Sequence, residues 1–419
     1  MNGNVVRRFS SENIIYSYTL NIYSNYADGR YIFMNYLIIG NGVAGTEAAL
    51  EIRKHDDTGT ITLISESQHQ FYYRPGLIEY LAGNVTIDKL TLYKDDLYRS
   101  RNIRTILDTR IVRILPDEKK AIDFNGSELP YDKLLLATGA RPSTPLISGM
   151  SLQGIFTLRG ITDADDIIHY CKNASSIVII GGGLLGLETA GSMCREGRTV
   201  TVVEYFEWLL PRQLDPAGGA ILMEKLEEKG LRFILHDSAA SFEGDSHVEK
   251  VVLKSGKEIK ADAVIISAGI KGRSELAYDA GIDINKGIVV NDYLETSIKD
   301  IYAAGDPVEH QGCMYGIWPA AREQGKIAGM NMAGKATPYS KTMMSNVLKI
   351  TGIDLYSAGD FNATEAEVFS CAVNGTYKKF VMKDTPVAAI VLGDAEAVKI
   401  AHRVMDGKTD PDEFKDIIK

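Results

Sequence analysis

The chain has 419 residues, 45% of them hydrophobic and 24% charged, with a formal net charge of −9. That is long enough for two or three domains and ordinary for a soluble globular protein. The acidic balance, without a basic stripe, argues against a nucleic-acid binder. No apolar run is long enough to cross a bilayer, so no membrane span is expected. Cys171, Cys194, Cys313 and Cys371 never approach CxxC spacing, so no cluster, structural zinc or disulfide framework is expected; a reducing, cytoplasmic setting fits.

The first 33 residues are polar and Tyr-rich and lack the continuous apolar stretch of a signal peptide. They read as an ill-ordered tail or an early start ahead of Met34, with a docking segment as the alternative. The first clear strand, Asn35 to Ile39, runs into Gly40-Asn-Gly42-Val43-Ala44-Gly45 and then a helical stretch. This is GxGxxG in its required setting of strand, tight turn and helix. Gly40 allows the turn, Gly42 lets the backbone approach a pyrophosphate, and Gly45 allows helix and strand to close. The helix N-terminus offers free N–H groups to the phosphates. The next strand, Thr60 to Ser65, ends at Glu66, a carboxylate able to accept ribose hydroxyls.

Thr105–Leu115 and Lys119–Asp123 read as hairpin strands inserted in this unit. Asp132 to Ala140 is an apolar strand ending in the turn Thr138-Gly139, and Arg141-Pro-Ser-Thr-Pro reads as a linker. The whole unit then repeats. Ser176 to Ile180 is a strand, Gly181-Gly-Gly183-Leu184-Leu-Gly186 is the fingerprint, and Thr199 to Val203 ends at Glu204. Arg232–Leu235 and Val248–Lys254 look like counterparts of the earlier hairpin strands, and Asp262 to Gly269 closes the unit. Two fingerprints mean two dinucleotides, as when a resident flavin accepts a hydride from a nicotinamide that comes and goes. A carboxylate at Glu204 suits the NADH ribose and repels the 2′-phosphate of NADPH, so NADH is favoured; Arg212 is the nearest rescue for NADPH.

Asp300 to Asp306 is a further strand ending in Gly305-Asp306, and Ile317 to Met332 reads as a helix with Pro319 in its first turn. Strands at Val347–Ile350, Glu367–Cys371, Tyr377–Met382 and Pro386–Leu392, then a helix Glu396–Met405, form a small α+β domain. The fold class is therefore α/β: two Rossmann-like dinucleotide-binding domains plus a small C-terminal α+β domain. The expected division is residues 34–145 with 270–336 for FAD, 146–269 for NAD, and 337–419 as a separate C-terminal domain.

Several motifs occurring together carry a resemblance: GNGVAG from Gly40, YYRPGL from Tyr72, LLLATGA from Leu134, GGGLLGLE from Gly181, YAAGD ending at Asp306, and NVLKITGIDLYSAGD from Asn346. The chain resembles the FAD-dependent pyridine nucleotide–disulfide oxidoreductase superfamily. Within it, the likeness is to the branch of NADH:rubredoxin reductases and the flavin portion of assimilatory nitrite reductases. The resemblance implies that Gly40, Gly42, Val43, Ala44, Gly45 and Glu66 hold the FAD adenosine and pyrophosphate, with Thr138 and Gly139 near the latter. It implies Arg74 and Pro75 beside the flavin, Gly305 and Asp306 at the ribityl chain, and Gly181, Gly183, Leu184, Gly186 and Glu204 on NADH. Glu188 would lie near the nicotinamide and Gly269 would shape that cleft. In such proteins the C-terminal domain often forms a dimer contact and covers the flavin.

Two departures matter. Gly45–Lys54 and Phe71–Gly76 contain no cysteine, so thiolate-dependent disulfide or peroxide chemistry is not expected. Cys313 reads as an inert thiol, its approach to the flavin being the alternative. Ferredoxin-reductase relatives often read RPxLSK, with a lysine opposite the residue equivalent to Glu188; here Arg74-Pro-Gly-Leu-Ile-Glu79 puts a carboxylate in that place. Glu188, Glu79 and Arg74 are therefore the candidate catalytic residues. If Glu79 and Glu188 face each other, one should be partly protonated near neutral pH; otherwise Glu79 points to solvent or a cation separates them. The expected function is FAD-dependent NADH oxidation, with electrons passed to a small iron–sulfur carrier such as rubredoxin or to a partner subunit, in a homodimer. The alternatives are an NADH oxidase or small-acceptor (quinone) reductase and, of another class, a flavin-bearing redox sensor or structural subunit.

Overall fold

In a computed structural model the structure describes residues 25–27 and 30–418. Most of the N-terminal 33 residues, for which a tail or early start is expected, lie outside the described residues. Asn25–Ala27 and Arg30–Ile32 pair antiparallel.

Two five-stranded parallel sheets repeat one plan. The first has the order Ile301–Ala303, Lys133–Leu136, Asn35–Ile39, Thr60–Ile64, Ile103–Ile106. The second has the order Ile155–Thr157, Ala263–Ile266, Ser176–Ile180, Thr199–Val203, Leu231–Ile234. Strands covered on both faces are apolar without alternation, as in Tyr36-Leu-Ile-Ile39 and Ile177-Val-Ile-Ile180, all buried. The sheets exchange chain: the edge strand Ile301–Ala303 of the first is reached only after the second is complete. The two crossings lie side by side, Ala140–Pro142 pairing antiparallel with Ile270–Gly272.

Three boundaries differ from expectation. Thr105–Leu115 is not one hairpin strand: Thr105 and Ile106 finish the parallel strand Ile103–Ile106, and the antiparallel strand starts at Ile111. Between them the chain turns at Asp108, in the left-handed region at φ +51°. Arg232–Leu235 likewise belongs to the parallel sheet through Leu231–Ile234, so it matches Ile103–Ile106 and not the hairpin. Hydrophobic alternation marks a strand but does not choose its partner. Finally, the Arg141–Pro145 linker opens as a strand, where Pro142 is tolerated because the ladder has only two strands.

Helix α1 (Val43–His55) packs on the helix α6 (Trp318–Met332), where glycines let the backbones touch. A Cβ at Gly325 would overlap the Ala44 backbone, and one at Gly329 would sit 2.6 Å from the Ala48 carbonyl oxygen. The helices α2 (Leu77–Leu81), α3 (Ile161–Tyr170), α4 (Leu184–Met193) and α5 (Pro216–Glu227) belong to a second core around the second sheet.

The C-terminal sheet is antiparallel, in the order Ser345–Ile350, Ile353–Gly359, Pro386–Leu392, Thr376–Met382, Glu367–Val373. The helix Ala395–Met405 covers one face. From the other, Leu355, Ile390 and Leu392 share a core with Leu187 and Leu222 of the second nucleotide unit. Asp215 fastens the two: it caps α5 through the Gly218 N–H and accepts hydrogen bonds from Tyr377 Oη (2.6 Å) and Lys379 Nζ (2.9 Å).

Candidate functional site: two dinucleotide cradles

Each fingerprint glycine is explained by what its neighbours leave free. Gly40 and Gly181 take φ +117° and +113°, which side chains rarely adopt, and a Cβ there would strike the carbonyls of Ala137 and Ser267. Gly45 and Gly186 press on the carbonyls of Gly40 and Gly181. The middle glycines differ: a Cβ on Gly42 or Gly183 meets nothing within 4 Å. They are the N-caps of α1 and α4, and neither helix start has a side-chain cap. An open face beside uncapped N–H groups is where a diphosphate fits. That arrangement accommodates the dinucleotide expected at each turn, FAD at the first and a pyridine nucleotide at the second.

Around the first cradle the structure brings together the expected residues. Val43 and Ala44 are buried at the start of α1. Gly139, at φ +69°, and Thr138 end the strand beside Asn35–Ile39. Gly305, at φ +89°, lies against Ala44 and Ala321, and its N–H donates to the buried Gln324 at 2.8 Å. Asp306 follows and is ion-paired to Arg159, Nη2 to Oδ2 at 2.6 Å. Arg159 Nε also donates to the Ala140 carbonyl at 3.0 Å. Burial first, and the Arg74 charge second, pull its pKa below the ordinary arginine value. Arg74 and Pro75 open a single 3₁₀ turn, with the Arg74 guanidinium over the Tyr72 ring.

The two strand-end acids are used differently. Glu66 is half-exposed and engages Arg273. Glu204 is 6% exposed, and its carboxylate accepts the Gly182 N–H at 2.5 Å and the Phe206 N–H at 2.9 Å. It is fixed against Gly182 in the glycine turn of its own unit; Gly183 caps the helix that follows, and Leu184 there is half-buried. Gly269, at φ +94°, closes the second unit as Gly139 closes the first.

Glu79 on α2 and Glu188 on α4 lie on packed helices. Burial, and then the negative charge of Glu79, push the Glu188 carboxyl up to about 7. Glu79 accepts a hydrogen bond from Asn84 Nδ2 at 2.8 Å. Among the described residues Glu188 has no cation in a salt bridge. Cys313 is half-buried and its backbone pairs with His310, not Asp306. No group of three or more potential metal ligands occurs among the described residues, and no helix there is long and apolar enough to cross a membrane.

Arg159 and Arg273 escape sequence reasoning because each reaches the first cradle from another part of the chain, 147 residues from Asp306 and 207 from Glu66. The only signal was their place within two residues of the end of a short strand at the crossings into and out of the second unit.

Comparison with known proteins agrees with the fold. The pyridine nucleotide-disulphide oxidoreductase profile matches residues 34–325, and the rubredoxin NAD+ reductase C-terminal domain profile matches residues 345–409. A nitrite reductase [NAD(P)H] of Bacillus subtilis is 36% identical over 366 residues; these are 86% of this chain but only 45% of that protein, so the chain spans about half its length. An NADH-rubredoxin oxidoreductase of Clostridium acetobutylicum is 35% identical over 361 residues, 85% of this chain and 90% of that one. The crystal structure of a covalent putidaredoxin reductase–putidaredoxin complex superposes with a TM-score of 0.82 at 26% identity, covering 91% of this chain and 95% of that one. The chain belongs to the pyridine nucleotide-disulphide oxidoreductase family.

Proposed function

We propose that this protein takes a hydride from NADH onto bound FAD and passes the electrons to a small iron–sulfur carrier or to a partner subunit that holds such a centre. The observation that carries it is the pair of intact cradles, each with an open middle glycine at an uncapped helix start. The relatives' names support this choice of acceptor, since they include rubredoxin and putidaredoxin.

FAD, when bound, would supply a hydride acceptor that can release electrons one at a time. The chain's own residues do the positioning. Gly40, Gly42, Val43, Ala44 and Gly45 would seat the diphosphate, with Thr138 and Gly139 beside it, Glu66 at the adenosine ribose, and Gly305 and Asp306 at the ribityl chain. Arg159 holds Asp306 in place. Arg74 and Pro75 would flank the flavin. Gly181, Gly183, Leu184, Gly186 and Glu204 would seat NADH, and a carboxylate at Glu204 disfavours a 2′-phosphate. Glu188, with its raised pKa beside Glu79, would stand at the nicotinamide as a proton-holding group, and Gly269 would bound the cleft. We assign residues 34–145 and 270–336 to the FAD half, 146–269 to the NAD half and 337–419 to an interface domain, and infer a homodimer working in the cytoplasm.

The test is the acceptor. Purified protein with NADH should reduce rubredoxin or a small ferredoxin many times faster than it consumes oxygen. Rapid oxygen consumption with no carrier reduction would replace this reading with that of an NADH oxidase.

A further inference from the structure

The crossing from the second unit back to the first is held in register by its ladder, with Ala140 opposite Gly272 and Arg141 opposite Lys271. The next residue is Arg273. Its N–H donates to the Gly139 carbonyl at 2.9 Å, and its own carbonyl accepts the Thr138 hydroxyl at 2.7 Å. Its guanidinium Nη1 engages Glu66 Oε1. One residue from the return crossing thus touches Glu66, assigned above to the adenosine of FAD, and Thr138 and Gly139, assigned to its diphosphate.

The ion pair itself does little for the fold. The side chains of Arg273 and Glu66 are 38% and 46% exposed, and pairs so open contribute about 0–1 kcal/mol. What the arrangement does provide is a cation held against Glu66, on a residue whose backbone bonds Thr138 and Gly139 of the first cradle. A guanidinium has five N–H donors, so contact with Glu66 leaves others for phosphate oxygens. The duplicated unit serves as an internal comparison. There the matching acid, Glu204, has no arginine among the described residues, and its carboxylate is taken up by two backbone amides. A resident cofactor has to be retained, whereas a nucleotide that exchanges at each turnover has to leave, and the extra cation stands on the resident's side.

We propose that Arg273 is a further FAD-binding residue, closing over the adenosine end, aiming Glu66 at the ribose hydroxyls and facing the adenosine-side phosphate that FMN lacks. The proposal rests on the FAD reading above. It is tested on apoprotein reconstituted with FAD and, separately, with FMN, which lacks the adenosine half. Arg273→Ala should weaken FAD binding at least tenfold, read by the change in flavin fluorescence on binding, and leave FMN binding as in the unsubstituted protein. Arg273→Lys should recover part of the FAD affinity. If Arg273→Ala does not fold, judged by circular dichroism, Glu66→Gln and Arg273→Lys carry the same FAD-against-FMN comparison. FAD binding unchanged, or FAD and FMN weakened alike, would overturn the role of Arg273. An unsubstituted protein that binds no flavin would overturn the FAD reading itself.

Discussion

Arg159 lies in the connection between the strand Ile155–Thr157 and α3, yet it donates to Asp306 at 2.6 Å on the far side of the unit junction. Both side chains are mostly buried, at 21% and 17% exposed. The bond ties the second nucleotide unit to the carboxylate expected at the ribityl chain. Removing the guanidinium leaves that carboxylate without its cation, which in a buried setting costs about 3–5 kcal/mol. Arg159→Met should therefore lower the stability of the apoprotein in urea and speed FAD loss. Equal urea midpoints for variant and parent would show that the pair does not hold the units together.

The Glu79–Glu188 relationship makes a pH prediction. Glu188 is pushed from 4.5 to about 7 by burial and then by Glu79. A carboxyl whose folded pKa is raised binds more protons folded than unfolded, so its contribution is fully present below about 4.5 and is lost as pH rises to about 7. The loss is on the order of 3 kcal/mol. Urea midpoints should fall over that window in the parent and stay flatter in Glu188→Gln. Glu79→Lys should restore a cation opposite Glu188 and shift the transition to lower pH. A Glu188→Gln profile that parallels the parent would remove Glu188 from the account.

Glycines that differ only in what lies beside them should behave in opposite ways. Gly325 faces the Ala44 backbone, so Gly325→Ala should destabilise by about 1–3 kcal/mol although alanine is the better helix former. Gly42 has an open side and φ −87°, so Gly42→Ala should fold normally and yet lose FAD, because the methyl occupies the phosphate's approach. Thermal melts of the two apoproteins, beside flavin content, separate these outcomes. A Gly42→Ala protein that retains FAD would mean the cofactor does not lie against that turn.

At Glu204 the carboxylate serves the turn as well as the nucleotide. Glu204→Ala strands the amides of Gly182 and Phe206, each worth about 1–3 kcal/mol if left buried and unpaired. NADH affinity should fall at least tenfold, with NADPH affected less, in titrations with each nucleotide. Equal loss for both would show that Glu204 acts on the turn alone and does not select the nucleotide.

Much of this architecture is written locally. The fingerprints, their strands and the acids Glu66 and Glu204 are contiguous runs whose periodicity and glycine spacing have one good structural solution, and the duplication confirms each half by the other. What was not legible is what depends on partner choice. Ile103–Ile106 and Leu231–Ile234 are short strands whose place in a parallel sheet follows from tertiary pairing. The strand Ile353–Gly359 carries no alternating pattern, because both of its faces are largely covered by neighbours. Arg159 and Arg273 look like isolated surface arginines until the chain crossing brings them to Asp306 and Glu66. The absence of a lysine at Glu79 was visible, but its consequence for Glu188 needed the packing of α2 on α4.

The central claim is that NADH delivers a hydride to a flavin held in the first cradle. The most direct measurement is anaerobic rapid mixing of the purified holoprotein with NADH and, separately, NADPH, while the visible absorption of oxidised flavin is followed. The account predicts a bound-flavin spectrum that bleaches within the turnover time with NADH and much more slowly with NADPH. A protein that carries no flavin, or whose flavin neither nucleotide reduces at a catalytic rate, would contradict it.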